Sequence, residues 1–537
     1  MRKILLSLFM LVLACSSSFA GDALVVFKSP ENQQVTISAL KNGNLLASIN
    51  AAVSSAGASV KNVYEYLSEA DNKIFVYVHS DSLSTDELIA NFKARDDVIA
   101  ASPNRVNHLT KTPNDEFYSE LWGLERIQAP RMWDTNTGSD NIYVAIMDSG
   151  FYPHPDLVPN IAEKYARSFV EGDTQGWQYD PLGHGEHVAG IIGAVGNNNI
   201  GVTGVNWKVK IIPLKGFEAN EIIAGLNYLT QIIKEDHIKV AAINMSLEGF
   251  SSESPAEMLN DAWYLAMKAF DDLNYSVFVI AAGNEGINTG SPTPFTQPQF
   301  EWEFMYNLTE PEYKAGQYIY PASSILNNKI VVGATDSSDK AAYFTNWGES
   351  VDICAPGCEI LSTYTPDADD YDGTAPYVYK VLNGTSMSTP HVAGAIALLA
   401  AEYPKATPAQ LKAAILQGAD KNINPLVYPY QYKLNTAVEK IKKIVNESLD
   451  KGALTQQEAD AEIISRTQAA RIALSDYEEF DGKYKISKYG LLNVRASLSA
   501  LETIIYRDHA KEGSKGGGCN IFAGVFICAI LFLRKRV

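Results

Sequence analysis

The sequence predicts an α/β protein, a mainly parallel β-sheet covered by helices, preceded by a small α+β domain. Two observations lead there. Beyond residue 115, four uninterrupted apolar runs, 142–147, 240–243, 277–282 and 330–332, each end against Gly, Asn or Asp, as strands buried on both faces do. Helical patterns fall between them, and that alternation marks parallel strands joined by helical crossovers.

The N-terminal end comes first. Arg2 and Lys3 precede an apolar run, 4–15, and Ser18-Phe19-Ala20 supplies small residues where a signal peptidase reads, so residues 1–20 are expected to be a signal peptide and the chain to be exported. Val12-Leu13-Ala14-Cys15 is a second reading, a loose lipoprotein cleavage box. Residues 21–110 form the small α+β unit. Strands are expected at 23–27 and 74–78, and Ser84-Thr85-Asp86-Glu87 caps an amphipathic helix carrying Leu88, Ile89 and Phe92, ahead of the apolar segment 98–101.

Within the larger domain, 221–236 reads as a helix. Ser254-Pro255-Ala256-Glu257 predicts the start of another, combining an N-cap, Pro at the first helical position and a capping-box Glu. In parallel sheets ligands gather at the carboxyl ends of the strands. Asp148, Ser246 and Asn284 all directly follow or closely trail such runs.

Composition narrows the partners. Among 537 residues, 44 Lys and Arg face 62 Asp and Glu, a net charge of −18, which gives no support to a phosphate-binding surface, so nucleic acid is not an expected partner. With 46% hydrophobic and 20% charged residues, wholesale disorder is excluded. Of five cysteines only Cys354 and Cys358 lie in the folded body, which excludes a disulfide scaffold; the two flank Ala-Pro-Gly and read either as one turn-spanning disulfide or as two buried thiols.

Four motifs carry chemistry. Val144-Ala145-Ile146-Met147-Asp148-Ser149-Gly150 ends a buried strand in a carboxylate, a costly placement unless the charge is hydrogen-bonded or used. His184-Gly185-Glu186-His187-Val188-Ala189-Gly190 puts an imidazole at a helix start, where it can act as general base. Gly384-Thr385-Ser386-Met387-Ser388-Thr389-Pro390-His391 leads into an apolar helix and sets Ser386 at its N-terminus, where backbone N–H groups favour an anion; Pro390 is expected in the first turn. Ala281-Ala282-Gly283-Asn284-Glu285-Gly286 offers an amide that can donate to an oxyanion. A zinc reading of His184 and His187 is disfavoured, because their spacing of three, with Gly between, comes with no third ligand.

Asp148, His184 and Ser386 follow one another at separations of 36 and 202 residues, an order distinct from that of chymotrypsin and of the α/β-hydrolases. With His154-Pro155-Asp156-Leu157, Ile243-Asn244-Met245-Ser246-Leu247, Tyr320-Pro321-Ala322 and Ala355-Pro356-Gly357, the chain over about 115–505 resembles the subtilisin-like serine proteases. The resemblance implies a subtilisin-like three-layer fold and a serine endopeptidase acting on polypeptide substrates. It implies a triad of Asp148, His184 and Ser386, with Asn284 as oxyanion donor. Ser246, Leu247, Glu248 and Gly283 would bind substrate, the first two by adding an extended peptide as a β-strand. It further implies a structural Ca²⁺ held by Asp156, Asn198 and loop carbonyls of Gly196, Ile200 and Val202; no organic cofactor is expected. A surface binding protein that keeps the fold without turnover is the alternative.

By the same resemblance residues 21–110 are an inhibitor-like propeptide, an intramolecular inhibitor released by cleavage between Arg105 and Asp115; a permanent N-terminal binding domain is the other reading. The peptidase domain spans 111–506, with insertions at about 287–319 and 422–489. The first holds Phe295, Phe300, Trp302, Phe304, Tyr306 and Tyr313 and is placed to cover the pocket for the residue preceding the cut. The second reads as a charged helical hairpin, with Val438, Ile441, Ile444 and Leu449, then Gly452 and a fresh capping box from Thr455 to Glu458. A Gly-rich linker, 507–518, precedes the segment 519–537, where Cys519-Asn520, 13 apolar residues and Arg534-Lys535-Arg536 resemble a bacterial sorting signal read by a membrane protease, or form a simple membrane anchor. Glu186 and Glu248 stand where the family usually has Thr and Gly, and their charges near the cleft are expected to favour substrates with basic side chains.

Overall fold

A computed structural model of the chain describes residues 21–30, 34–104, 111–289, 316–366, 378–428, 455–473 and 481–515, with scattered positions between 430 and 451. The signal segment, the six insertion aromatics, Ile444, Gly452 and the segment 519–537 lie outside the described residues, as does 105–110 of the expected maturation stretch. The chain divides into two compact units, Met1–Leu109 and Thr110–Val537.

The first unit is a four-stranded antiparallel sheet, β1 (Gly21–Lys28), β2 (Ser59–Val63), β3 (Lys73–Ser80) and β4 (Val98–Pro103), in the order β2-β3-β1-β4. Its helices are α1 (Ile37–Asn42), α2 (Asn44–Ser55), α3 (Glu65–Asp71) and α4 (Thr85–Lys93). Alternate residues of β1 and β3, Ala23, Val25 and Phe27 with Ile74, Val76 and Val78, turn one face inward onto Ile49 and Val53 of α2 and Leu88 and Phe92 of α4. The Ser84–Glu87 capping box that starts α4 is made in both directions, satisfying two orphan N–H groups of the first turn.

The second unit is built on seven parallel strands: β5 (Gly138–Asp148), β6 (Arg167–Ser168), β7 (Lys208–Lys215), β8 (Lys239–Met245), β10 (Val277–Ala281), β12 (Lys329–Thr335) and β13 (Ile353–Pro356). Their order is β13-β12-β10-β8-β5-β7-β6. The short strands β9 (Gly249–Ser251) and β11 (Tyr318–Tyr320) pair apart from this sheet, as do β14 (Ile360–Tyr364) and β15 (Val378–Leu382). The helices are α5 (Trp122–Arg126), α6 (Ala129–Trp133), α7 (His184–Gly193), α8 (Ala219–Asp236), α9 (Ala262–Asp272), α10 (Thr385–Glu402), α11 (Pro408–Gly418), α12 (Gln456–Ala473) and α13 (Val494–Lys515).

Both sheet faces are covered. Val144 and Ile146 of β5 enter a core shared with Val188 and Ile192 of α7 and Val392 and Ile396 of α10. Ala145 and Met147, pointing the other way, enter a second core with Leu226 and Leu229 of α8 and Met267 and Phe270 of α9. This is the three-layer α/β arrangement, and two-sided burial explains why the strands read as unbroken apolar runs. Each large side chain so buried contributes about 1.5–3 kcal/mol. The chain leaves β5 toward β6 and β7 on one side and returns to β8 on the other. The carboxyl end of β5, where Asp148 sits, is therefore a switch point at which such folds open a cleft.

Two expectations change, and the alternative left open for the cysteines is decided. The Ser254–Glu257 capping box is made, Glu257 N donating to Ser254 Oγ at 3.4 Å, but it closes a 3-10 turn, and α9 starts only after Asp261, whose side chain accepts from Tyr264 N. Pro390 is the sixth residue of α10, in its second turn. The carbonyl it fails to engage, that of Ser386, takes a side-chain donor from elsewhere, as described below. Cys354 and Cys358 are both free thiols, and burial pushes each up to about 12.

The second insertion is helical in its middle, while its two ends meet at an isolated antiparallel bridge between Leu426 and Lys485. Ile441 and Val445 pack with Ala459 and Ala470 of α12, and Thr455 and Glu458 make their capping box at 2.8 and 3.3 Å. Among the described residues no helix is long and apolar enough to cross a membrane.

Candidate active site

Four segments meet at the carboxyl ends of the strands. Asp148, 5% exposed, closes β5, and His184 is the first residue of α7. The approach is close because Gly185 has no side chain: a Cβ there would overlap the Gly150 carbonyl and lie 3.1 Å from Asp148 Cβ. His184 Nδ1 and Asp148 Oδ1 are 2.7 Å apart. The carboxylate can only accept, so Nδ1 carries the proton and Nε2 is left as the basic nitrogen. Burial works against an imidazolium here. The Asp148 carboxylate, by its charge and its hydrogen bond, and Asp180, by charge, outweigh it and raise the His184 pKa above its ordinary value.

Ser386 is the second residue of α10, preceded by Gly384 at the N-cap. Its hydroxyl donates to the Ser246 carbonyl at 3.3 Å, and among the described residues it makes no hydrogen bond to His184. Such bonds tighten when substrate fills the cleft. In return the Ser246 hydroxyl donates to the Ser386 carbonyl at 2.9 Å, the acceptor left over by Pro390. Asn244, at the end of β8, donates to Ser246 Oγ at 3.0 Å.

Asn284 lies exposed beyond β10. Its Oδ1 accepts from Thr385 N at 2.9 Å and Thr385 Oγ1 at 3.0 Å, which orients the amide so that Nδ2 is the donor turned to other partners. The same bond caps the first N–H of α10, coupling the amide to the helix end that carries Ser386.

Residues 246–248 link β8 to β9 without being part of a strand, and Leu247 and Glu248 are half-buried. Gly283, at φ +101°, needs its missing side chain: a Cβ would overlap Glu248 Oε2 and Asn346 Nδ2 and lie 2.9 Å from Glu285 Oε2. Two carboxylates thus crowd the residue before Asn284. Glu186 does not join them. It is fully buried beneath α7, accepts from Tyr152 N at 2.9 Å, and burial pushes its carboxyl well above the usual range. Glu186, expected to be a charge near the cleft, is instead turned into the core by the pattern of α7, and the carboxylate found beside Gly283 with that of Glu248 belongs to Glu285.

Several neighbours carry no motif of their own. Asn346, wholly buried, donates from Nδ2 to Ala282 O at 3.0 Å and Glu285 Oε2 at 2.7 Å, and accepts at Oδ1 from Glu285 N at 3.1 Å and Ile287 N at 2.9 Å. It knots the loop that presents Asn284. It stands 61 residues from Glu285 in the chain, and no pattern in the sequence marks it. Ser149 and Asp180 form a second such knot.

Asp156 meets the 196–202 loop, which carries the other four expected cation ligands. Asp156 Oδ1 accepts from Asn198 Nδ2 at 2.7 Å, and Oδ2 from Val202 N at 2.9 Å and Tyr379 OH at 3.2 Å. Ile200 N donates to Asn198 Oδ1 at 2.8 Å, and Gly196 opens the turn. A second buried carboxylate reaches the same loop: Asp115 Oδ2 accepts from Asn197 N at 2.7 Å, while its Oδ1 is buried without a partner. Burial raises the carboxyl of Asp115, and burial followed by the Asp115 charge raises that of Asp156 to about 6. Two buried carboxylates, one with an orphaned oxygen, in an oxygen-rich loop fit a hard divalent cation. Zinc at the His motif does not fit. His187 Nε2 lies 3.0 and 2.9 Å from the carbonyls of Ile360 and Lys380, and burial drives its pKa to about 3. No group of three His, Cys, Asp or Glu among the described residues could hold a metal ion.

The subtilase family model matches residues 139–449, more than half of the chain. The chain belongs to the subtilase family. It is 32% identical over 327 residues to the thermophilic serine proteinase of Bacillus sp. (strain AK1), covering 60% of this chain and 67% of that protein. Thermitase of Thermoactinomyces vulgaris is 32% identical over 319 residues, 58% of this chain and 92% of thermitase. Subtilisin Savinase of Lederbergia lenta is 34% identical over 298 residues, 54% and 88%. This subtilase is a subtilisin-like serine endopeptidase, in a family whose chemistry uses no organic cofactor.

Proposed function

We propose that Asp148, His184 and Ser386 are the catalytic triad of this endopeptidase, Asn284 its oxyanion donor, and 246–248 with Gly283 its substrate-binding wall. The 2.7 Å bond between Asp148 and His184 beside a serine at a helix N-terminus carries the reading. A serine hydroxyl is a weak nucleophile, so His184 Nε2 takes the Ser386 proton as Oγ attacks the peptide carbonyl. Asp148 holds the tautomer and stabilises the imidazolium. Asn284 Nδ2 and the N–H of Ser386 donate to the oxyanion as it forms. His184 then gives its proton to the leaving amine, and water hydrolyses the acyl-enzyme by the same route in reverse.

The chain is made as an exported, autoinhibited precursor: residues 1–20 the signal peptide, 21–110 the propeptide, and 519–537 the segment that a sorting enzyme or the membrane holds, keeping the peptidase at the cell surface. Asp115, Asp156, Asn198 and carbonyls of Gly196, Ile200 and Val202 hold a structural Ca²⁺, whose charge neutralises the two buried carboxylates. The Glu248 and Glu285 carboxylates favour a basic side chain before the cut.

The test is fluorophosphonate labelling of purified residues 21–515 in calcium, beside Ser386→Ala, with the N-terminus of each band determined. Labelling lost in the variant, with a new N-terminus between Arg105 and Asp115, is expected. Labelling that persists in Ser386→Ala would reject the triad, and an intact N-terminus on an active chain would reject the precursor.

A further inference from the structure

Behind the triad lies a second carboxylate that the reaction as described does not use. Asp180 is wholly buried in the segment before α7. Its Oδ1 accepts from the Ser149 hydroxyl at 2.8 Å and Leu182 N at 3.3 Å, and its Oδ2 from Glu186 N at 3.1 Å. Ser149 faces the other way as well: its N–H donates to Asp148 Oδ1 at 2.8 Å, and its Oγ accepts from Gly185 N at 3.1 Å. One carboxylate and one hydroxyl therefore tie the residue after Asp148 to the two residues after His184. They also supply acceptors to the first N–H groups of α7, which have no partner within the helix.

We propose that Asp180, acting through Ser149, is a positioning residue for the Asp148–His184 pair and the second negative charge that favours the His184 imidazolium formed when Ser386 attacks. The proposal rests on His184 as the general base. Its surroundings leave few other sources of charge. From β5 comes Asp148; from the segment before α7 comes Asp180; on α7 itself burial raises the Glu186 carboxyl well above the usual range, and burial drives the His187 pKa down to about 3. The Asp180 oxygens only accept, from three donors, an arrangement suited to the ionised form. Burial and the Asp148 charge nevertheless raise its carboxyl, against the pull of the Ser149 hydrogen bond. The Asp148 and Asp180 charges both favour the His184 imidazolium, and its positive charge in turn favours the ionised Asp180.

The experiment is the pH profile of kcat/KM for the wild type, Asp180→Asn and Ser149→Ala, with thermal melting of each. In the free enzyme the acid limb reports the base that must be neutral. Asp180→Asn removes the charge, so the limb is expected to move to lower pH by about half a unit, while the plateau falls about tenfold as the pair loses its register. Ser149→Ala, which keeps the charge and cuts the bridge, is expected to lower kcat about tenfold at unchanged KM and to leave the limb in place. A lowered melting point with an unmoved limb in Asp180→Asn would overturn the electrostatic role. Wild-type kcat in Ser149→Ala would overturn the positioning role, and that variant decides if Asp180→Asn does not fold. Absence of fluorophosphonate labelling in the wild type would instead overturn the triad itself.

Discussion

The Ser246 hydroxyl donates a 2.9 Å hydrogen bond to the main-chain carbonyl of Ser386. Pro390 has no N–H to offer that carbonyl, so a residue from just beyond β8 completes the helix that carries Ser386. Ser246→Ala would strand a carbonyl in the second layer of the site and free the Asn244 amide. A loss of about 1–3 kcal/mol in stability is expected by urea unfolding, together with reduced turnover. Unchanged stability would show that water replaces the hydroxyl.

The oxyanion loop should respond in a graded way. Asn284→Ala is expected to lower kcat by about 10²–10³ with little change in KM, because the donor acts on charge present only in the transition state. Asn346→Ala removes four hydrogen bonds from the loop that carries Asn284, and should cost a smaller part of the same factor as well as stability. In the double variant the two kcat losses should fall short of multiplying, since one residue acts through the other. Full multiplication would mean that Asn346 has no part in presenting the amide.

Glu248 and Glu285 make charge the expected basis of selectivity. In a peptide library with the residue before the cut varied, Lys and Arg should be preferred. Glu248→Gln should reduce their kcat/KM about tenfold relative to neutral side chains. No preference in the wild type would remove this reading.

Calcium dependence should itself depend on pH. In the folded chain without cation the Asp156 carboxyl is raised to about 6, against ~3.9 when unfolded. The folded state holds more protons than the unfolded state between those values, so stability falls as pH rises through that window, by up to about 3 kcal/mol. A bound cation removes that penalty. The gain in melting temperature on adding calcium should therefore be larger at about pH 8 than at about pH 5. An equal gain at both would place the cation elsewhere.

The strands were legible as apolar runs, and helix starts as caps and breakers: His184 before Gly185 and Gly384 before Ser386 at the site, and the Ser84–Glu87 box in the N-terminal unit. The Ser254 box shows the limit of such signals, since the same pattern satisfies two N–H groups in a 3-10 turn as well as in an α-helix. Glu186 shows another. Its residue type announced charge, and burial in α7 decided otherwise. Asp180 and Asn346 had no signal of their own, because each matters through contacts with distant segments that only the folded chain brings together, Asp180 with Ser149 at 2.8 Å and Asn346 with Ala282 at 3.0 Å.

What the sequence by itself determined is the chemistry available: which residue types stand at the carboxyl ends of buried strands and at helix starts, in the order Asp148, His184, Ser386. Periodicity and capping are local, and a local pattern is readable without the fold. The tertiary structure alone decided which carboxylates are buried, which way burial and neighbours shift them, and which face one another. Protonation depends on the water, dipoles and charges within a few ångströms of a group, and those neighbours are assembled only when distant segments pack.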